Sequence, residues 1–303
     1  MSRALPLLGV TLPQFSGGPK PALTAVGEVW ALGYAGAFVF DHLWPLDSER
    51  DRPILESWTL LAALAGRSGS LPPGVRPPLA LGTLVTRAGL RPPALLARMA
   101  ATVGEAAGTP AIVGVGAGDA ANRAENLAFG LAYRDAAGRA GEVERAVAAL
   151  RAPMAGRPQV WVGGNGPRMR AVAGATADAW NAWGALPEEL ATGLADVQRS
   201  AERSGRDPAA VAATWGGQAL IDPDPDGARA RLAAWGAGRD PGEVARTLCG
   251  DPAAVMDRLA ALRAAGASWC VLSMVGGGAA AARAALAAAA GLTTPASTGT
   301  GAG

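Results

Sequence analysis

Ala37-Phe38-Val39-Phe40-Asp41-His42-Leu43-Trp44 (residues 37–44) is a short apolar run that stops at an acid, an imidazole and a tryptophan. Its aromatic and β-branched residues predict a strand over Ala37–Phe40. His42 is the only histidine in 303 residues. Imidazole is the one side chain that ordinarily titrates near neutral pH. Histidine chemistry in this protein would have to happen at the end of this strand. A histidine that only hydrogen-bonds after a strand is the plain alternative.

Similar runs recur on both sides of this stretch. Strands are predicted at Leu7–Leu12, Leu79–Val85, Ile112–Gly116, Val160–Gly163, Ala179–Ala182, Gln218–Ile221 and Trp269–Met274. Helical segments separate them. Leu95, Leu96, Met99 and Val103 fall at helical spacing after prolines suited to a first turn. Pro187-Glu188-Glu189 opens a segment that runs to Ser204, with acids at its positive end. Asp251-Pro252 reads as an N-cap and first turn, and Gly266 as the matching C-cap. Eight strands in βα order predict an α/β fold, a (β/α)8 TIM barrel over residues 1–292. A doubly wound sheet is the alternative. Thr293 to Gly303 is small and polar and is expected to be a disordered tail.

Half the residues are hydrophobic and the net charge is +2, from 27 Lys+Arg against 25 Asp+Glu. That is ample core and no strong field, which disfavours nucleic acid or an anionic membrane as partner. No run is long and apolar enough to span a bilayer. The N-terminus lacks signal-peptide form, and Cys249 and Cys270 make no CxxC, so a cytoplasmic protein with no metal site is expected.

In a barrel the loops after the strands share one face, where active sites sit. The unusual residues fall there: Asp41-His42, Thr86-Arg87, Gly116 to Asn122, Gly163 to Arg168, and Trp183. Gly116, Gly118 and Ala121 match a dinucleotide fingerprint by spacing, but no acid ends a strand about twenty residues on. The other readings are a tight turn, or a backbone that approaches a flat ligand with Asp119 and Asn122 beside it. Gly163-Gly164-Asn165-Gly166-Pro167-Arg168 exposes N–H groups at a helix start and adds a full positive charge, which makes a phosphate seat. Serine hydrolysis lacks a G-x-S-x-G motif, and a glycosidase built on Asp41 and Asp119 leaves the phosphate seat unexplained. Trp44 and Trp183, beside these loops, are candidates for shaping a substrate pocket or for packing.

The stretches 33–43 (GYAGAFVFDHL), 81–98 (LGTLVTRAGLRPPALLAR), 114–130 (GVGAGDAANRAENLAFG) and 160–184 (VWVGGNGPRMRAVAGATADAWNAWG) are familiar in type and order. With a weaker match over 250–274, the chain resembles the luciferase-like oxidoreductases, and within them the branch that uses the deazaflavin coenzyme F420. The resemblance implies a TIM barrel with an inserted segment. That segment is shortened here between Glu144 and Gln159. It implies hydride transfer between coenzyme F420 and a small organic substrate, with His42 or Asp119 as proton partner. It places cofactor contacts at Asp41, Thr83, Val85, Thr86, Ala117, Gly118, Asn122, Gly163, Gly164, Asn165, Gly166, Pro167 and Arg168, and a non-proline cis peptide within Thr83 to Thr86. Family members are often homodimers. FMN with O2, in a monooxygenase, is the alternative chemistry, and a catalytically silent cofactor-binding protein is a third reading.

Two departures bear on substrate and acid. Lys20 is the only lysine, so the lysine grip on a sugar phosphate found in some of the family is missing. Asp119 stands where the sugar-phosphate enzymes often carry Glu, which shortens the acid's reach.

Overall fold

The computed structural model of the protein describes residues 5–15, 18–45, 54–72 and 76–292. The predicted disordered tail lies outside the described residues. Among the described residues nine strands, all parallel, run as β1 Leu7–Thr11, β2 Gly36–Val39, β3 Ala80–Arg87, β4 Ile112–Gly116, β5 Gln159–Gly163, β6 Ala179–Trp183, β7 Ala212–Ile221, β8 Leu248–Gly250 and β9 Ala267–Met274. The helices between them are α1 Lys20–Ala31, α2 Ser57–Gly69, α3 Pro93–Ala107, α4 Asn122–Ala128, α5 Ala136–Arg151, α6 Pro167–Thr176, α7 Pro187–Arg203, α8 Pro225–Gly236, α9 Pro241–Arg246, α10 Pro252–Ala264 and α11 Ala279–Ala289.

β1 to β7 pair in sequence order, β7 pairs with β9, and β9 pairs with β1. The ring is closed, so the fold is a (β/α)8 barrel and the doubly wound alternative is overturned. Parallel strands buried on both faces need apolar residues on both, and the alternation of side chains sorts them into two shells. Leu8, Val10, Val39, Leu81, Val113 and Val160 join the outer core with the helices. Phe38, Leu84, Ile112, Trp161 and Val271 make a separate inner cluster, with Trp269 packed on it. The Phe38 and Trp161 rings stack at 5.6 Å, and Trp269 meets both edge-on. Glycines make the room: a Cβ on Gly9 would lie 2.7 Å from the Phe38 ring, and one on Gly36 or Gly82 3.0 Å. The barrel is plugged beneath its mouth.

Two strands depart from their predicted spans, and one was not predicted. β7 starts at Ala212, well before Gln218. The Gly216-Gly217 pair hides the apolar pattern because neighbouring indoles fill the space: a Cβ on Gly216 would lie 2.9 Å from Trp183, and one on Gly217 2.3 Å from Trp215. β3 runs through Arg87, so Thr86 and Arg87 belong to the strand and not to the loop after it. β8 was not predicted; three residues are too few to show a period, and it pairs only with Ala219–Ile221 outside the ring.

Asp135, Asp240 and Asp251 cap α5, α9 and α10 by accepting a first-turn N–H at 2.7–2.9 Å. A cavity of about 730 Å³ lies between α8, α9 and α10, and none of the predicted site residues lines it. Among the described residues, no helix is long and apolar enough to cross a membrane.

Candidate active site

At the end of β2 the chain sends neighbouring side chains to opposite destinations. Asp41 turns inward and is 1% exposed. Its carboxylate accepts from Ser57 Oγ at 2.6 Å, from the Thr86 hydroxyl, and from the Arg87 backbone N–H at 3.3 Å. Arg91 grips both oxygens, at 2.6 and 3.1 Å, and also pairs with Glu56. Such a fork-to-fork contact is among the stronger charge-assisted pairs. Trp58 Nε1 donates to Thr86 Oγ1 at 3.2 Å. Asp41 therefore joins β2, α2 and β3, and protein groups engage both its oxygens.

His42 turns the other way, half-buried at the mouth. Its Nδ1 lies 3.5 Å from Glu125 Oε2. Glu125, on α4, is 4% exposed. Its other oxygen, Oε1, accepts the backbone N–H groups of Leu43 and, at 3.0 Å, Trp44, and stands 3.1 Å from Arg87 Nη2. Burial pushes the Glu125 carboxyl up, but the bonds from His42 and Leu43 and the Arg87 charge outweigh it and hold it at about 2. The carboxylate stays charged, anchors the segment after β2 and orients the imidazole. With Nδ1 facing Glu125, Nε2 turns away from it.

β3 approaches the mouth through a register shift against β4 between Thr83 and Thr86, with a cis peptide at Leu84–Val85. This cis bond lies within the segment for which the resemblance implied one. Thr83 is buried and its hydroxyl donates to Gly114 O at 3.0 Å. The Val85 side chain lies over β4 and β5. A Cβ on Gly114, Gly116 or Gly163 would come within 2.9, 2.5 and 2.8 Å of its methyls. These three glycines leave space for Val85 as well as a close backbone surface.

After β4, Ala117 is half-buried and Gly118 turns with φ +67°. Asn122 Oδ1 accepts the Asp119 N–H at 2.9 Å, and Asp119 Oδ1 accepts the Ala121 N–H at 2.9 Å. Both side chains close their own turn. Asp119 is exposed, and the acid that meets His42 is Glu125. Glu125 was missed because an acid within a helical run reads as a solvated face. The available signal was its place three residues after Asn122, which puts both on one helix face; Asn122 Nδ2 lies 3.5 Å from its Oε2. Arg87, placed on this face by the sequence but given no role there, and Arg91, which was missed, neutralise the two buried carboxylates.

The loop after β5 is held from behind. Gly164 O accepts Trp180 Nε1 at 2.9 Å, Asn165 Nδ2 donates to Trp183 O at 2.8 Å, and Asn165 O accepts from Arg170 at 2.7 and 2.9 Å. Gly166 precedes α6 with no side-chain cap, and Pro167 opens the helix. The first-turn N–H groups have no intrahelical partner. Arg168 is exposed there and makes no ion pair among the described residues. This donor set fits an anionic phosphate.

Aromatic rings border the mouth. Trp183 is 36% exposed and meets Phe40 edge-on at 5.8 Å; Phe15 stacks on Phe40 at 6.2 Å. Trp44 meets Phe129 edge-on at 6.3 Å. Phe15, Phe40 and Phe129 were not singled out in the sequence.

The histidine–carboxylate pair and the glycine loops lie on the C-terminal face of a closed parallel barrel, the face on which such barrels carry their active sites. The profile of luciferase-like monooxygenases matches residues 29–243, and the chain belongs to that family of oxidoreductases. A phthiodiolone/phenolphthiodiolone dimycocerosates ketoreductase of Mycobacterium sp. (strain JLS) is 31% identical over 212 residues, 61% of this chain and 51% of that protein. The Mycobacterium tuberculosis (strain ATCC 25618 / H37Rv) protein of the same name is 31% identical over 184 residues, 52% of this chain and 45% of its own. The chain thus spans about half the length of these curated relatives. Among solved structures, an F420-dependent secondary alcohol dehydrogenase in complex with an F420-acetone adduct superposes with TM-score 0.76 at 19% identity, covering 96% of this chain and 100% of that one. EDTA monooxygenase from Chelativorans sp. BNC1 superposes with TM-score 0.75 at 14% identity, covering 95% and 94%. At these identities the superpositions speak for the fold.

Proposed function

We propose that the protein is a coenzyme F420-dependent oxidoreductase that moves a hydride between the deazaflavin and a small organic substrate. The observation that carries this reading is His42, held by a buried carboxylate beside the bulged β3, with the anion seat three strands along the same rim. When bound, the deazaflavin supplies or accepts the hydride. The chain's own groups do the rest. Val85 and the glycine backbones of β4 and β5 offer a flat apolar support for a ring. The first turn of α6, with Gly163, Gly164, Asn165, Gly166, Pro167 and Arg168, would hold a phosphate. Ala117 and Gly118 present backbone between them.

His42 Nε2 holds or takes the proton while Glu125 holds Nδ1. Asp41, Thr83, Thr86 and Asn122, already bonded to protein groups, position these elements. Asp119, on the exposed turn, is the second candidate for the proton. Trp44 and Trp183 border the space left for substrate.

A flavin reading draws on the same seat, because FMN also carries a phosphate. Mixing the pure protein with oxidised F420 and, separately, with FMN, and following fluorescence quenching, tests the proposal. Deazaflavin binding that weakens in Arg168→Ala is the expected result. Tight FMN binding with no deazaflavin affinity overturns it in favour of the monooxygenase. Turnover absent with every cofactor points to a silent protein.

A further inference from the structure

The cavity between α8, α9 and α10 has the size of pockets that hold small molecules, and the oxidoreductase reading makes no use of it. Three helices and one short strand wall it. α8 turns Leu232, Ala233 and Gly236 to it, α9 gives Pro241, Val244 and Ala245, α10 gives Ala254 and Arg258, and β8 adds Cys249. Gly236 lets α8 and α9 meet, since a Cβ there would lie 3.0 Å from the Val244 methyls. The other faces of these helices are occupied. On α8, Ala228 is buried and Arg231 turns to Asp222 and the Gly276 carbonyl. On α9, Glu243 accepts from Gln218 of β7 at 2.7 Å, and Arg246 donates to Gly184 O at 3.0 Å and to Glu189 at 2.8 Å. α9 thus ties its charged residues to β7 and to the chain after β6, and turns its apolar ones to the cavity.

The charges at this cavity do not balance. Arg229, Arg239 and Arg258 line it with one acid, Asp251. The Asp251 carboxylate already accepts the Ala254 N–H at 2.8 Å. Arg229 pairs with Asp226, one turn back on α8, and Arg239 lies over the Trp235 ring at 4.4 Å with Glu243 4.0 Å away. Arg258 makes no ion pair among the described residues, and its guanidinium reaches the Thr247 carbonyl at 3.4 Å. The cations act on the thiol beside them: burial pushes Cys249 up, and Arg258, Arg229 and Arg231 pull it the other way. Apolar walls with an unmatched cation are complementary to a molecule with a hydrocarbon body and a negative end. We propose that the cavity is a binding site for a single-chain amphiphile with an anionic head, a carboxylate or a phosphate monoester. Its chain lies between Leu232 and Val244, and its head pairs with Arg258. The site shares no residue with the cofactor seat and stands whichever cofactor the barrel mouth takes.

Cys249 reports on this site. It is half-buried at the cavity, whereas Cys270 is 0% exposed, so iodoacetamide labels the two thiols at separable rates, read by peptide mass spectrometry. The full chain is labelled in the presence of decanoate, decyl phosphate, decanol or acetate, each below the concentration at which it forms micelles. Decanoate or decyl phosphate is expected to slow Cys249 labelling saturably, and the better protector names the head group. Decanol should need at least tenfold more for half-protection, and acetate, without a chain to bury, should not protect. Arg258→Ala should raise the half-protection concentration of the anion about tenfold. Leu232→Trp, which fills the cavity, should abolish protection. Cys270 staying unlabelled shows that both variants are folded. Calorimetric titration of Cys249→Ser with the same two anions measures the affinity without the thiol. Decanol protecting as well as the anions, undiminished protection in Arg258→Ala, or neither protection nor heat of binding with either anion overturns the proposal.

Discussion

His42 Nδ1 and Glu125 Oε2 lie 3.5 Å apart, joining the end of β2 to the face of α4. The carboxylate fixes one imidazole nitrogen, and the other faces away from it. His42→Ala is expected to lower turnover by about 10²- to 10⁴-fold, the usual contribution of a positioned acid or base. Deazaflavin affinity should change little. Single-turnover absorbance and fluorescence quenching on the same preparation separate the two.

The same pair shapes the acid response. The Glu125 carboxyl is held at about 2 in the folded chain against an ordinary 4.5. A depressed folded value means stabilisation that is fully present above about pH 4.5 and is lost as pH falls toward about 2. Urea midpoints of the wild type and Glu125→Gln, compared from about pH 6 to about pH 3, should therefore converge on acidification. Near neutrality the variant should be weaker by about 3 kcal/mol, because Arg87 is left buried without its partner.

Asp41 is the centre of a buried network of hydroxyls and a guanidinium. Arg91→Ala leaves its carboxylate buried against hydroxyls and one N–H, and should cost about 3–5 kcal/mol in denaturant unfolding. Arg91→Lys should recover only part of that, since one ammonium cannot span both oxygens as the guanidinium does. Folded Arg91→Ala should retain cofactor affinity.

Gly116 and Val85 share one space. Gly116→Ala puts a Cβ 2.5 Å from a Val85 methyl, an overpacking expected to cost about 1–3 kcal/mol. Adding Val85→Ala should return most of it. A double-mutant cycle by chemical denaturation reads the coupling, and additive losses would place the two side chains apart.

Arg168→Ala should weaken deazaflavin binding about 5- to 10-fold by removing one charge-assisted contact. The binding should also lose part of its salt dependence. Titrations at low and high ionic strength check both.

What the sequence showed by itself was local. Apolar runs located most of the strands, proline-led starts located α3, α7 and α10, and the break at Asp41-His42 marked the end of β2. These signals lie within a few residues, where alternation and capping act. β7 and β8 were misjudged because glycines erased the pattern in one and three residues held none in the other. Ring closure, the inner aromatic plug and the split of Asp41 from His42 needed the fold. So did Glu125: its pairing partners come from β2 and β3, and its burial comes from packing of α4 on the barrel mouth. The phenylalanines show the same division. Phe15, Phe40 and Phe129 are scattered in the chain as ordinary core-formers, and only the closed barrel brings them to one rim. Composition and periodicity decide which residues are buried in the strands. Which charges neutralise each other, and which rings gather beside the one histidine, depends on contacts between elements far apart in sequence.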